Sequence, residues 1–372
     1  MKKIIGIVNP VQVAFDEKSL ETGCGGSETW AIEICKSFAK KENTHVICFC
    51  YCSKWHFTKE GVEYVPYKLF EQRCNTQHFD FMIISRTIDN ALDIIKKTDC
   101  CHNIYMMLHD IILWEKAGIE PTDYAKHWIN NTWRLNNVKK LLVLSDWHKL
   151  YVANNQHFPI DMMVNTANGL DIELIKECTN EVTEKDNSML WSPRYERNFD
   201  LLVDKIAPLV IKEIPDFKVY ACGYEDDLEK KYKDALSKDF VVNLGKLSKK
   251  DLYTEMSKHK CLFYPVIFPE TFCISILEAL MCGNMLVIAN RYGPSTTLFP
   301  YKYFFFGENV DFYKDDIACE AAAQQIVKYI KEYDKPIYKS FLKSMQQYVA
   351  MNYNWDKITD DILKVVKENG KD

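Results

Sequence analysis

The 372-residue chain lacks the marks of several common protein classes. No apolar run approaches the length of a bilayer span, which excludes a helical membrane protein. The net charge is −5 with Lys and Arg scattered, so there is no electrostatic footprint for nucleic acid. The 14 cysteines contain no C-x-x-C pair, which argues against a zinc ribbon or a redox motif. Cys48, Cys50 and Cys52 alternate along a predicted strand and share one face, as small hydrophobes do. No HExxH, P-loop lysine motif, Asp-x-Asp pair or Ser–His–Asp order occurs, so neither metal nor cofactor is expected. Residues 1–8 enter a strand directly, without an apolar leader. With the unpaired cysteines, this predicts a cytoplasmic location and leaves attachment at the membrane surface open.

What is present is strand–helix alternation from end to end. Strands are predicted at Lys3–Val8, His45–Tyr51, Asp80–Ser85, Asn103–Leu108, Lys140–Leu144 and Asp161–Asn165. A second series follows at Ser188–Trp191, Lys218–Cys222, Phe240–Leu244, Cys261–Tyr264, Met285–Ala289 and Tyr303–Phe306. Between them lie amphipathic helices: Ala31, Ile34, Cys35 and Phe38 recur at i, i+3, i+4 and i+7. Such alternation predicts parallel sheets wound on both faces. It restarts after a charged stretch at 169–187, so two doubly wound α/β domains are expected. Tyr353–Lys367 forms a last amphipathic helix with Trp355, Ile358, Ile362 and Val365 or Val366 on one side.

Four constellations could carry chemistry. Glu270 and Glu278 bracket an apolar helical segment, in which a charge needs a partner. Pro269 is expected to set the start of that helix and Gly283 its left-handed end. Free N–H groups in its first turn suit phosphate and the carboxylates suit hydroxyls; a capping Glu and a paired core Glu are the alternative. Gly25 and Gly26 open the first helix, where the backbone can approach a phosphate, although Ser27 is equally a plain N-cap. A nicotinamide fingerprint fails because Glu28 stands where its third glycine belongs. His109, beside Asp110, follows an apolar strand, where side chains reach the ligand crevice of an open α/β sheet; a structural His is the alternative. Arg194 and Arg197 follow another strand and suit a diphosphate, unless Glu196 pairs one of them. His148 reads as structural. The region around Leu113–Tyr124, with Trp114, Trp128 and Trp133 nearby, reads as an acceptor wall or as packing.

Together these residues resemble the GT-B glycosyltransferases of family 4, the glycosyl transferases group 1. The resemblance runs through Gly25-Gly26-Ser27-Glu28, His109-Asp110, Val143–His148, Asn168-Gly169-Leu170-Asp171, Ser192–Asp200, the Glu270…Glu278 pair and Tyr353–Asp356. It implies two Rossmann-like domains facing across a cleft: an acceptor-side domain at 1–168, a nucleotide-sugar-binding domain at 169–352, and a terminal helix at 353–372 returning to the first. It implies Glu270 and His109 on the transferred sugar, Glu278 on the ribose, and Gly25, Gly26, Arg194 and Arg197 at the diphosphate. The amides of Phe272, Cys273 and Ile274 would touch sugar and phosphate.

The activity implied is metal-independent, retaining transfer (a hexosyltransferase, EC 2.4) from a nucleotide-diphosphate-sugar to a carbohydrate or lipid-linked acceptor in polysaccharide biosynthesis. An epimerase or hydrolase of the same fold, or a silent nucleotide-sugar-binding protein, is the alternative. The sequence departs from the family pattern at Asn198, Thr271 and Cys273, where glycine is usual. Arg197 stands where lysine is commoner, and Gly293-Pro294-Ser295 lacks an acidic residue.

Overall fold

The protein is described from a computed structural model. It covers residues 2–86, 89–111, 138–180, 182–223, 231–298, 305–306 and 310–370. Trp114, Trp128 and Trp133 lie outside these residues, so the expected acceptor wall does too. The chain divides into two compact units. The first comprises Met1–Ser19, Cys24–Gly169 and Trp355–Asp372; the second comprises Leu20–Gly23 and Leu170–Asn354.

The first unit is built on an eight-stranded sheet. Its strands are β1 (Lys3–Val8), β2 (Thr44–Cys50), β3 (His56–Phe57), β4 (Val62–Pro66), β5 (Phe81–Ser85), β6 (Ile104–Met107), β7 (Val138–Val143) and β8 (Met163–Asn165). They lie in the order β3-β4-β2-β1-β5-β6-β7-β8. All neighbours are parallel except β3 and β4. Ile5, Ile7, Val46, Ile47, Ile83 and Ile84 are fully buried, as expected of strands covered on both faces.

The predicted strands of this half recur within a few residues of their expected bounds; the edge hairpin β3–β4 is additional. Glu63 explains why a strand there is hard to foresee. It is fully buried mid-strand, held by Arg73 at 3.0 Å and His45 at 2.8 Å. The cysteine prediction needs one adjustment. β2 ends at Cys50, and Cys52 lies just beyond it, still buried.

The helix Gly26–Ala39 is buried on nearly every side, from Trp30 to Phe38. The helix Trp355–Asn369 covers it, using Trp355, Ile358, Ile362 and Val366. Polar ties fix the pairing. Ser37 Oγ donates to the Trp355 carbonyl at 3.2 Å, Thr359 Oγ1 donates to Ser37 Oγ at 2.7 Å, and Lys41 meets Asp360 at 2.5 Å. Gly169 is required by the same packing, because a Cβ there would lie 2.6 Å from the Trp355 ring.

The second unit holds six parallel strands. These are β9 (Asp186–Trp191), β10 (Lys218–Cys222), β11 (Val241–Gly245), β12 (His259–Tyr264), β13 (Met285–Ala289) and β14 (Phe305–Phe306). Their order is β11-β10-β9-β12-β13-β14. Numbered within the unit this is 3-2-1-4-5-6, the dinucleotide-fold arrangement, whose strand order reverses between β9 and β12. Ligands in such sheets sit outside the carboxyl ends of the strands at that reversal. The chain is helical over 199–213, with a π turn at Leu202–Ile206. Pro208 supplies no N–H for the Asp204 carbonyl, and the wider turn accommodates that loss.

Candidate active site

The loops after β9 and β12 flank the reversal point of the second sheet. Arg194 and Arg197 come from the first loop and Glu270 from the second. Arg194 pairs with Glu196 at 2.7 Å, so the alternative foreseen for that loop holds for this cation. Arg197 is placed differently. Its guanidinium lies over the Phe268 ring, 3.2 Å from the centroid, with Nε 3.8 Å from Glu270 Oε1. Its Nη1 is buried and has no hydrogen-bond partner among the described residues. Asn198, next in sequence, has φ of 77°. That left-handed conformation is why glycine suits the position, and asparagine is one of the few other residues that tolerate it.

Glu270 is held from below. Tyr264, the last residue of β12, donates its hydroxyl to Glu270 Oε1 at 2.6 Å. The ring is buried, and burial raises the phenol well above its ordinary pKa. The Glu270 amide donates to the Phe268 carbonyl at 2.7 Å, and its own carbonyl accepts from the Gly293 amide at 2.8 Å. A Cβ on Gly293 would lie 2.3 Å from the Thr271 carbonyl oxygen and 2.7 Å from the Phe272 nitrogen. The loop carrying Glu270 therefore rests directly on backbone at Gly293.

The helix that follows spans Ile274–Met281 with Cys273 as its N-cap. It starts five residues beyond Pro269, so the proline shapes the loop and not the helix start. Cys273 has φ of 70°, a strained position for a residue with a Cβ. Phe272 is buried against Tyr353, with ring centroids 5.6 Å apart. The C-terminus ends as expected: Gly283 has φ of 76°, and the Asn284 amide reaches back to the Ala279 carbonyl at 2.8 Å.

Glu278 is only 2% exposed. Lys249 Nζ lies 2.6 Å from its Oε1, and the Tyr253 hydroxyl donates to the same oxygen at 3.0 Å. Both partners stand on the helix Lys249–Ser257 that follows β11. The buried charge thus has the compensation it requires. Neither partner was foreseen from sequence. Their i, i+4 spacing puts them on one face, but nothing in the spacing points to Glu278.

In the first unit, Gly25 is the N-cap of Gly26–Ala39, with no side-chain cap. Ser27 is therefore not the cap; its hydroxyl donates to Glu28 Oε1 at 2.9 Å. A Cβ on Gly25 would lie 2.5 Å from Glu28 Oε2. His109 follows β6, is 9% exposed, packs edge-on to Trp30 at 5.3 Å and shares a 3.1 Å hydrogen bond with Ser85 Oγ. Burial, with Arg86 and His148 adding repulsion, lowers its pKa to about 3. The imidazole is neutral at physiological pH. Arg86 joins the two motifs, 3.7 Å from Glu28 and 3.2 Å from Asp110. It was not singled out in the sequence. His148 accepts from the Leu144 amide and bonds the Asp110 carbonyl at 3.0 Å, the structural role expected of it.

Among the described residues, one group has the spacing of metal ligands: Asp16, Glu17 and His56 in the first unit, with ligand atoms within 4.8 Å of one another. His56 Nε2 already bonds Glu17 at 2.7 Å. No helix among the described residues is long and apolar enough to cross a membrane.

Residues 179–336 match the family model described as Glycosyl transferases group 1. The second unit therefore carries a match to a glycosyl transferases group 1 domain. Its fold is GT-B. A glycosyltransferase from Rickettsia africae superposes with a TM-score of 0.68 at 15% identity, covering 100% of this chain and 99% of that one. Sucrose-phosphate synthase from Thermosynechococcus elongatus gives 0.70 at 14% identity, covering 99% of each chain. HepE of Anabaena in complex with UDP-glucose gives 0.67 at 15% identity, covering 98% of this chain and 99% of that one. No curated protein matches the sequence.

Proposed function

We propose that the chain transfers a sugar, with retention at the anomeric carbon, from a nucleotide-diphosphate-sugar to a carbohydrate or lipid-linked acceptor. One observation carries this reading. At the reversal of the second sheet, Glu270 and Glu278 each have Oε1 held by a hydrogen bond, and Glu270 stands beside a stacked Arg197 whose buried Nη1 has no hydrogen-bond partner among the described residues.

In this reading Glu278 takes the ribose hydroxyls and Glu270 those of the transferred sugar. Arg197 offers its free donor to the diphosphate, with Arg194 nearby, and the amides of Phe272, Cys273 and Ile274 line the sugar and phosphate. Gly25 and Gly26 admit the diphosphate close to backbone, and the neutral His109 bonds a sugar hydroxyl. Such a set works by positioning and by stabilising charge on the departing diphosphate. The setting is polysaccharide synthesis in the cytoplasm, with contact at a membrane surface where the acceptor is lipid-linked.

The test is donor turnover against a panel of nucleotide sugars, with and without acceptor saccharides. Glu278→Ala is expected to weaken donor binding and Glu270→Ala chiefly to lower turnover. Parent-like activity in both variants refutes the assignment. Donor conversion that proceeds equally without acceptor points to an epimerase or hydrolase.

A further inference from the structure

We propose that Tyr264 and Tyr253 are positioning residues of the donor site, each locking one oxygen of a glutamate and leaving the other oxygen for the donor. The inference rests on the reading of Glu270 and Glu278 as ligands of sugar and ribose.

The two glutamates sit in parallel arrangements that the sequence does not announce. Each Oε1 accepts a tyrosine hydroxyl, from Tyr264 at 2.6 Å or Tyr253 at 3.0 Å. Each Oε1 also faces a cation, Arg197 at 3.8 Å or Lys249 at 2.6 Å. The tyrosines come from different elements, the end of β12 and the helix Lys249–Ser257. Both rings are buried, at 1% and 3% exposure.

A glutamate has three side-chain torsions, and a free one spreads over many rotamers. A buried phenol is rigid, because packing fixes both of its torsions. A hydroxyl presented from such a ring therefore fixes where the carboxylate sits before any ligand arrives. The tyrosine contributes through the glutamate, by removing misplaced rotamers. The cation alone does not provide this. Arg197 is 3.8 Å from Glu270, beyond hydrogen-bond distance. Tyr264 is thus the hydrogen-bonding anchor of Glu270, whereas Glu278 has both a tyrosine and a lysine within reach.

The two positions also divide the ligand between them. A nucleoside diphosphate carries the ribose but no transferred sugar. Losing the Tyr264 hydroxyl must then be felt only when the sugar is present, and losing the Tyr253 hydroxyl whether it is present or not. A residue that merely packs cannot make that distinction.

The experiment is calorimetric titration of the parent, Tyr264→Phe and Tyr253→Phe with matched ligand pairs: UDP-glucose and UDP, GDP-mannose and GDP, ADP-glucose and ADP. For the pair the parent binds, Tyr264→Phe is expected to lose about tenfold in affinity for the nucleotide sugar and to stay within about twofold for the diphosphate. Tyr253→Phe is expected to lose a similar factor for both, at the lower end because Lys249 still holds Glu278. Thermal unfolding of each variant reports on folding separately. Equal losses for both ligands in Tyr264→Phe, or no loss in either variant, overturns the positioning role. A parent that binds none of the pairs overturns the donor-site reading itself.

Discussion

Replacing Gly293 by alanine is the sharpest perturbation the second unit offers. The added Cβ would meet the Thr271 carbonyl oxygen at 2.3 Å and its carbon at 2.4 Å, where real Cβ contacts stay beyond 3.0 Å. All three nearest atoms are backbone, so no side chain can swing away. Either the short helix Tyr292–Thr297 or the loop after Glu270 must retreat by roughly 0.7 Å or more. Overpacking of this kind costs on the order of 1–3 kcal/mol. The larger effect is on activity. The displaced segment carries Glu270, and the 2.8 Å bond from the Gly293 amide to the Glu270 carbonyl fixes its height. A shift approaching 1 Å in a group that positions substrate costs about 100-fold in turnover. Transfer assays and differential scanning calorimetry on the parent and on Gly293→Ala measure both effects. Parent-like turnover with an unchanged melting temperature would refute the reasoning, because it would mean the loop yields without moving the carboxylate.

Arg197→Ala should cost donor affinity on the order of 1.5–3 kcal/mol, read by titration with the nucleotide sugar that the parent binds. Lys185 Nζ donates to the carbonyls of Ser257, His259 and Cys282; Lys185→Met leaves all three short of a donor and should cost about 2–5 kcal/mol in chemical denaturation. His109 and His148 have pKa values lowered to about 3 and about 4, mainly by burial, against 6.5 for the free side chain. The unfolded chain therefore protonates first, so their contribution to stability is complete above pH 6.5 and is lost as pH falls towards 4 and then 3. His148→Gln should flatten the slope of stability against pH in that window by roughly one proton, as measured by urea midpoints. Asn198→Ala, at φ of 77°, should destabilise by about 1 kcal/mol in urea unfolding, while Asn198→Gly should not.

The fold was legible because covered parallel strands leave a plain record. Ile4–Val8, Met82–Ile84 and Leu286–Ile288 are short apolar runs, and amphipathic helices separate such runs. β4 escaped notice because Glu63 and Pro66 interrupt the pattern; the compensation for Glu63 comes from Arg73 and His45, which no local spacing reveals. In the site, the residues tied to the backbone were readable: the left-handed Asn198 and Cys273 stand where glycine is usual. The supporting side chains were not. Tyr264, Tyr253, Lys249, Phe268 and Arg86 act through contacts spanning six to 71 positions, and tertiary pairing of that kind has no signature in a single sequence.

The seating of Trp355–Asn369 on Gly26–Ala39 sets an order of assembly. Synthesis must pass through the whole second unit before the segment that shields the first unit's helix leaves the ribosome. Until then Trp355 is missing from its place against Gly169, and the greasy outer side of an early helix stays wet. The newborn amino-terminal half is thus the part of this chain most in need of a chaperone.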